Sequence, residues 1–184
     1  MSKQIEQAIN SWLKEVVIGL NLCPFAARPY FEQRYKIIIS NAKNETIVLE
    51  ELFNACSELE STNPEKLETT LLVVPGLWPD FLDFNEFLDL VDALLENNHW
   101  TGIYQVASFH PKYQFEGTQV DDDENLTNRS PYPILHILRE TSVSNAVDSL
   151  EEPAEIPATN IHKMQALTHL QKRQYFHYLY PEEE

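Results

Sequence analysis

Glycine is scarce in this sequence: four in 184 residues, at Gly19, Gly76, Gly102 and Gly117. That scarcity excludes the GxGxxG dinucleotide turn and the GxxxxGK[ST] phosphate loop, both of which need glycine where backbone approaches phosphate. Cysteine is scarcer still. Cys23 and Cys56 are too few for a disulfide framework and lack CxxC spacing, which fits a reducing compartment. Cations are also short, with 13 Lys and Arg against 29 Asp and Glu and a net charge of -16. Every contact to a phosphodiester needs a cation, so nucleic acid is disfavoured as a partner, and an anionic membrane surface on the same grounds. No apolar run approaches the roughly 20 residues of a spanning helix. Residues 1–20 interleave charges with apolar positions and lack the apolar block of a signal peptide. The expectation is a soluble, cytoplasmic protein. The GxSxG elbow, HExxH and paired CxxC motifs are missing as well. The acidic run from Asp121 to Asn125 has neither the glycine nor the spaced oxygen ligands of an EF-hand loop.

With 43% hydrophobic and 11% aromatic residues, the chain suffices for one well-filled domain and not for two. That domain is placed over residues 1–180, followed by an acidic tail, 181–184. Ile5, Ile9, Trp12, Val16 and Leu20 recur at helical spacing, with Gly19 where a left-handed residue often closes a helix. Pro24 and Pro29 interrupt "NLCPFAARP" and make it a structured loop. "YKIIIS" (35–40), "TTLLVVPG" (69–76) and "GIYQVASF" (102–109) are short apolar runs that suit buried strands. Between them, "NETIVLEELFNACSELEST" places Val48, Leu52, Cys56 and Leu59 on one helical face. "WPDFLDFNEFLDLVDALLENN" does the same with Phe84, Phe87, Leu88, Val91 and Leu95. Alternating strands and crossover helices predict an α/β single domain with three or more strands; a ferredoxin-like α+β sandwich is the alternative. "PYPILHILRETSVSNAVDSL" is expected to form a helix opening at Pro133, where a missing N–H costs nothing. A Pro-rich link over 151–158 then leads to a last helix with Ile161, Met164, Leu167 and Leu170 inward.

Chemistry-bearing side chains concentrate between residues 110 and 140. His110 follows the third strand, and in an α/β sheet the carboxyl ends of strands face the ligand crevice. The plainer alternative is a histidine packed at a strand end against a carbonyl. His136, Arg139 and Glu140 would share one side of the helix opened by Pro133, either as a functional patch or as ordinary exposed pairs. Cys23, in its Pro-bounded loop, suits a nucleophile or soft metal ligand, or else a small packed hydrophobe. Cys56 reads as core. Of five arginines, Arg28, Arg129 and Arg139 fall in or beside these segments. They suit bidentate capture of a carboxylate or phosphate, or clamping of loops onto Asp121, Asp122 or Asp123. His162, His169 and His177 read as surface residues.

"GLNLCPFA", "SFHPKYQFEG" and "NRSPYPILHILRE" together resemble the signature of a family of uncharacterised bacterial proteins of about this length, a domain of unknown function. The resemblance spans most of the chain and implies a single-domain bacterial cytoplasmic protein. It carries no activity with it, and so transfers no catalytic role. It groups Cys23, Pro24, His110, Pro111, Asn128, Arg129, Ser130, Pro131, Pro133, His136, Arg139 and Glu140 as the positions standing on the shared motifs.

Three functional expectations follow. The first is a small-molecule enzyme whose pocket lies at the carboxyl end of the sheet under the long loop. His110 or His136 would be its general base or metal ligand and Cys23 its nucleophile or third ligand. Arg28, Asn128, Arg129, Ser130 and Arg139 would bind an anionic substrate. A Cys23, His110 and His136 set with an open position would suit zinc or iron, and no nucleotide cofactor is expected. The second is an anionic-ligand-binding or regulatory module without chemistry. In the third, the motifs lock a long loop and function lies in protein contacts.

Overall fold

The computed structural model describes residues 2–148 and 153–180; the expected acidic tail, and part of the expected Pro-rich link, lie outside the described residues. The three apolar runs form β1 (Tyr35–Ile39), β2 (Thr69–Val73) and β3 (Tyr104–Phe109). A fourth strand, β4 (Ile134–Arg139), inserts between β2 and β3, so the sheet runs β1-β2-β4-β3. β1 is parallel to β2, and β4 is antiparallel to both of its neighbours. This corrects the expected helix at Pro133: helix starts only at α5 (Glu140–Val147). Periodicity cannot separate a short buried strand from a buried helix in an apolar run such as "ILHIL". The open hydrogen-bonding edges of β2 and β3 decide it. The β3–β4 hairpin spans the long loop, and Val74 N–H extends the ladder by donating to Pro133 O at 2.9 Å. The result is a mixed α/β sheet, and the parallel β1–β2 edge departs from the ferredoxin-like alternative.

Alternation along the strands sends side chains to two apolar layers. Leu72, Leu135, Ile137 and Tyr104 face α3 (Glu45–Ser61) and α4 (Phe81–Asn97), which bury Val48, Leu52, Cys56, Leu59, Phe84, Phe87, Val91 and Leu95 against them. Both helices open on side-chain caps. Asn44 accepts from Ile47 N–H at 3.0 Å and Asp80 from Leu82 N–H at 2.8 Å, a contribution of about 1 kcal/mol each. On the other face Leu71, Val73 and Ile134 pack beneath α1 (Ser2–Ser11) and its continuation, together with Met164 of α6 (Ile156–Ala166) and the nearby Phe176.

The first helix is not a uniform α-helix. Residues Trp12–Ile18 form a π-helix, closed by bonds such as Gly19 N–H to Lys14 O at 3.0 Å and Leu22 N–H to Val17 O at 2.9 Å. The wider turn buries Trp12, Leu13, Val16 and Val17 together, where an α-helix of the same length has a narrower inward stripe. Gly19 closes this segment with φ -61, in the right-handed region rather than the left-handed one expected. A Cβ there would stand 2.3 Å from Glu15 O, so close approach explains the glycine. The expected last helix is also broken, into α6 and α7 (His169–Tyr175). Thr168 restarts it with a capping box to Gln171, and Leu170, expected inward, is 77% exposed.

Candidate functional site

The structure divides the expected site residues between the two ends of the sheet. At the carboxyl end of β3, His110 is 2% exposed and sealed beneath Phe81 and Phe84. Its Nε2 lies 2.9 Å from Trp78 O, and its Nδ1 accepts from Lys112 N–H at 3.0 Å. Because Nδ1 is an acceptor, Nε2 carries the proton and donates to Trp78 O. Burial pushes the His110 imidazole below its ordinary range. This histidine anchors a strained turn: Trp78 holds φ +54, a left-handed conformation uncommon for a bulky residue, while its indole N–H donates to Glu45 at 3.1 Å.

The neighbouring motif residues fasten the loop between β3 and β4. Arg129 donates to Tyr113 O at 3.2 Å and Val120 O at 2.6 Å, and its own carbonyl accepts from Trp12 and Tyr178, each at 3.2 Å. Asn128 donates to Ser108 O at 3.2 Å, and Ser130 to Tyr132 O at 2.6 Å. The acidic run is used elsewhere: Asp122 accepts from Gln119 N–H at 2.7 Å, and Asp123 pairs with Lys172 of α7 at 2.5 Å. The pin at the centre of the loop is fully buried Asn125. It accepts from Phe115 N–H and the Thr118 hydroxyl, both at 2.9 Å, and donates to Gln119 O at 2.7 Å. Sequence reasoning missed Asn125, whose only signal was a polar residue in a polar run.

The cavity lies at the opposite end, where β1 and β2 begin, and this corrects the expected position at the carboxyl end. It encloses about 750 Å³, within the range of small-molecule sites. One wall is the loop from Cys23 to Ala26 with α2 (Ala27–Phe31); the facing wall is α5, through Thr141 to Val143, Asn145 and Ala146. The floor is the sheet, through Tyr35, Thr69, Leu71, Gln105, His136 and Leu138. No residue of the long loop 110–133 lines it, so that loop is not its lid.

Cys23, Arg28, His136 and Arg139 all border the cavity. His110 does not join them. It and His136 project from opposite faces of the sheet, and with Phe109 paired to Ile134 they sit about three strand positions apart, roughly 10 Å along the ladder. Nor do His136 and Arg139 share a helical side, since odd spacing on a strand sends them to opposite faces. Among the described residues, no group of three or more His, Cys, Asp or Glu side chains is placed to hold a metal ion. The expected Cys23, His110 and His136 ligand set therefore does not assemble.

Within the cavity the four groups differ in chemistry. The His136 ring is half-buried, and burial pulls its imidazole down to about 4. Its Nε2 lies 2.7 Å from the Thr69 hydroxyl, which donates to Ile137 O at 2.6 Å. Burial pushes the Cys23 thiol up, only partly offset by the N–H groups of Phe25 and Ala26. Arg139 is consumed by the fold: its Nη2 donates to Leu59, Thr62 and Leu67 carbonyls at 2.5, 2.8 and 3.2 Å, around the end of α3. Arg28 is exposed at the mouth, paired to Glu32 at 3.2 Å.

Sequence reasoning overlooked Arg34, a buried guanidinium in the cavity wall within 2.8 Å of Glu32, 2.9 Å of Glu68 and 3.6 Å of Glu65. Three arginines thus line the cavity against two glutamates, Glu65 and Glu68. Glu32, paired to both Arg28 and Arg34, brings the local charges to balance, in a chain whose net charge is -16.

The chain belongs to DUF1415, a family of proteins of unknown function, which matches residues 4–174. No curated protein and no solved structure shows significant similarity to it. No described helix is long and apolar enough to cross a membrane.

Proposed function

We propose that the chain binds a small organic anion in the cavity between the Cys23–Phe31 segment and α5. Its apolar body would lie over Leu71 and Leu138, and its acidic group would meet Arg28 at the mouth. The observation that carries this reading is the gathering of three of the five arginines, one of them exposed at the mouth, around a cavity in a strongly acidic molecule. Arg34 is occupied by three glutamates, and Arg28, tied to a single exposed carboxylate, is the guanidinium most easily turned to a ligand. His136 supplies a neutral imidazole at the floor, able to accept a hydrogen bond or a proton.

Binding without covalent chemistry is favoured over a thiol enzyme. A half-buried thiol whose ionisation is pushed up holds little thiolate at neutral pH, so Cys23 serves better as a wall than as a resting nucleophile. The remaining motif residues, His110, Asn128, Arg129 and Ser130, fit the loop-locking role.

Titration of the protein with benzoate and benzamide, followed by amide chemical shifts, tests the proposal. Shifts are expected to cluster at residues 23–30, 69–71 and 136–146, with benzoate the tighter, and Arg28→Gln should erase that difference. Shifts that avoid the cavity, or equal affinities in the unaltered protein, would overturn it.

A further inference from the structure

The Thr69 hydroxyl has a single proton, and two polar atoms compete for it. Its oxygen is 2.6 Å from Ile137 O and 2.7 Å from Nε2 of His136. A carbonyl oxygen cannot donate, so a contact that short between two oxygens requires the threonine proton to lie between them. The Thr69 oxygen is then left as an acceptor toward His136, and Nε2 must bring its own proton. In a neutral ring this fixes the other nitrogen, Nδ1, as a bare lone pair.

Nδ1 has no hydrogen-bond partner among the described residues, and it is not among the sealed polar atoms that lack one. It is therefore reachable, on a ring that borders the cavity. Thr69 sits at the start of β2, itself buried and paired across the ladder to Leu138. The tautomer is accordingly set by the sheet and does not adjust to whatever enters.

We infer that His136, oriented by Thr69, selects ligands that present a hydrogen-bond donor, a hydroxyl or N–H, to Nδ1. Combined with the acidic group at Arg28, and so resting on the proposed function, this narrows the ligand class to hydroxy acids and their N–H counterparts with an apolar body. Thr69 is a positioning residue. It acts by denying Nε2 any role except donor.

The probes are 4-hydroxybenzoate and 4-methylbenzoate, close in size and differing in the donor proton. The hydroxy acid is expected to bind about tenfold more tightly, the worth of one net hydrogen bond, and to move the His136 Nδ1 resonance in 15N spectra. In the free protein those spectra should show Nε2 protonated and Nδ1 bare. Thr69→Ser should preserve both the tautomer and the discrimination. Thr69→Val, which keeps the shape and removes the hydroxyl, should lose both. A free protein with Nδ1 protonated, or equal binding of the two probes, would overturn the inference and leave the anion cavity standing. Failure of both probes to bind would remove the cavity reading and this inference with it.

Discussion

Replacing Arg139 with alanine separates a clamp from a ligand anchor. The guanidinium reaches three carbonyls through one nitrogen, Nη2, around the end of α3, and its Cζ lies 5.9 Å from the centre of the Tyr104 ring. Two protons on that nitrogen serve three acceptors, so the arrangement amounts to about two charge-assisted bonds of about 1.5–3 kcal/mol each. Part of that is recovered on truncation. Leu59 O still accepts from Thr62 N–H at 3.2 Å, and the half-buried site admits water. Loss of a cation beside a helix C-terminus adds a few tenths to 1 kcal/mol. The expected net loss is about 3 kcal/mol, roughly 6–12 °C in Tm for a chain of this length. In urea the midpoint should fall with the slope unchanged. Arg139→Lys should restore less than half, because an ammonium cannot fork toward carbonyls on different segments. Stability within about 0.5 kcal/mol of the unaltered protein, with benzoate binding lost, would refute the clamp and return Arg139 to the ligand.

Acid sensitivity tests the burial of His136. Its imidazole titrates near 6.5 when unfolded and at about 4 when folded, so the unfolded chain binds more protons between those values. Stability should therefore fall as the pH drops from 6.5 to 4 and level off below, by up to about 3 kcal/mol. Urea midpoints at pH 7 and pH 4.5 should show this part of the loss missing from His136→Gln; equal acid losses in both proteins would contradict it. Gly19→Ala forces a Cβ to within 2.3 Å of Glu15 O, whereas at Gly76 the nearest atom would be 3.6 Å away. Thermal melts should show a loss of about 3 kcal/mol for Gly19→Ala, of the order seen for overpacked sites, against little change for Gly76→Ala. Similar losses at the two positions would sink the steric account.

The motif residues were legible in the sequence as a group, but not as a site. A run such as "NRSPYPILHILRE" shows which side chains are present and leaves open where they point. Reading it as a helix put His136 beside Arg139; as a strand it sends one to the cavity floor and the other to the end of α3. Glu32 is a local partner of Arg34, but the burial of Arg34 also depends on Glu65 and Glu68, from the segment that leads into β2, which nothing local signals.

The sequence by itself determined β1, β2 and β3 and the inward faces of α3 and α4. Each rests on side chains within a few residues of one another, where periodicity and hydrogen-bonding geometry act locally. Tertiary structure alone decided β4, the placing of His110 and His136 on opposite faces, and the gathering of Cys23, Arg28, Arg34 and His136 around one cavity. Strand pairing joins residues far apart in the chain, and a one-residue change of register exchanges every side chain between faces.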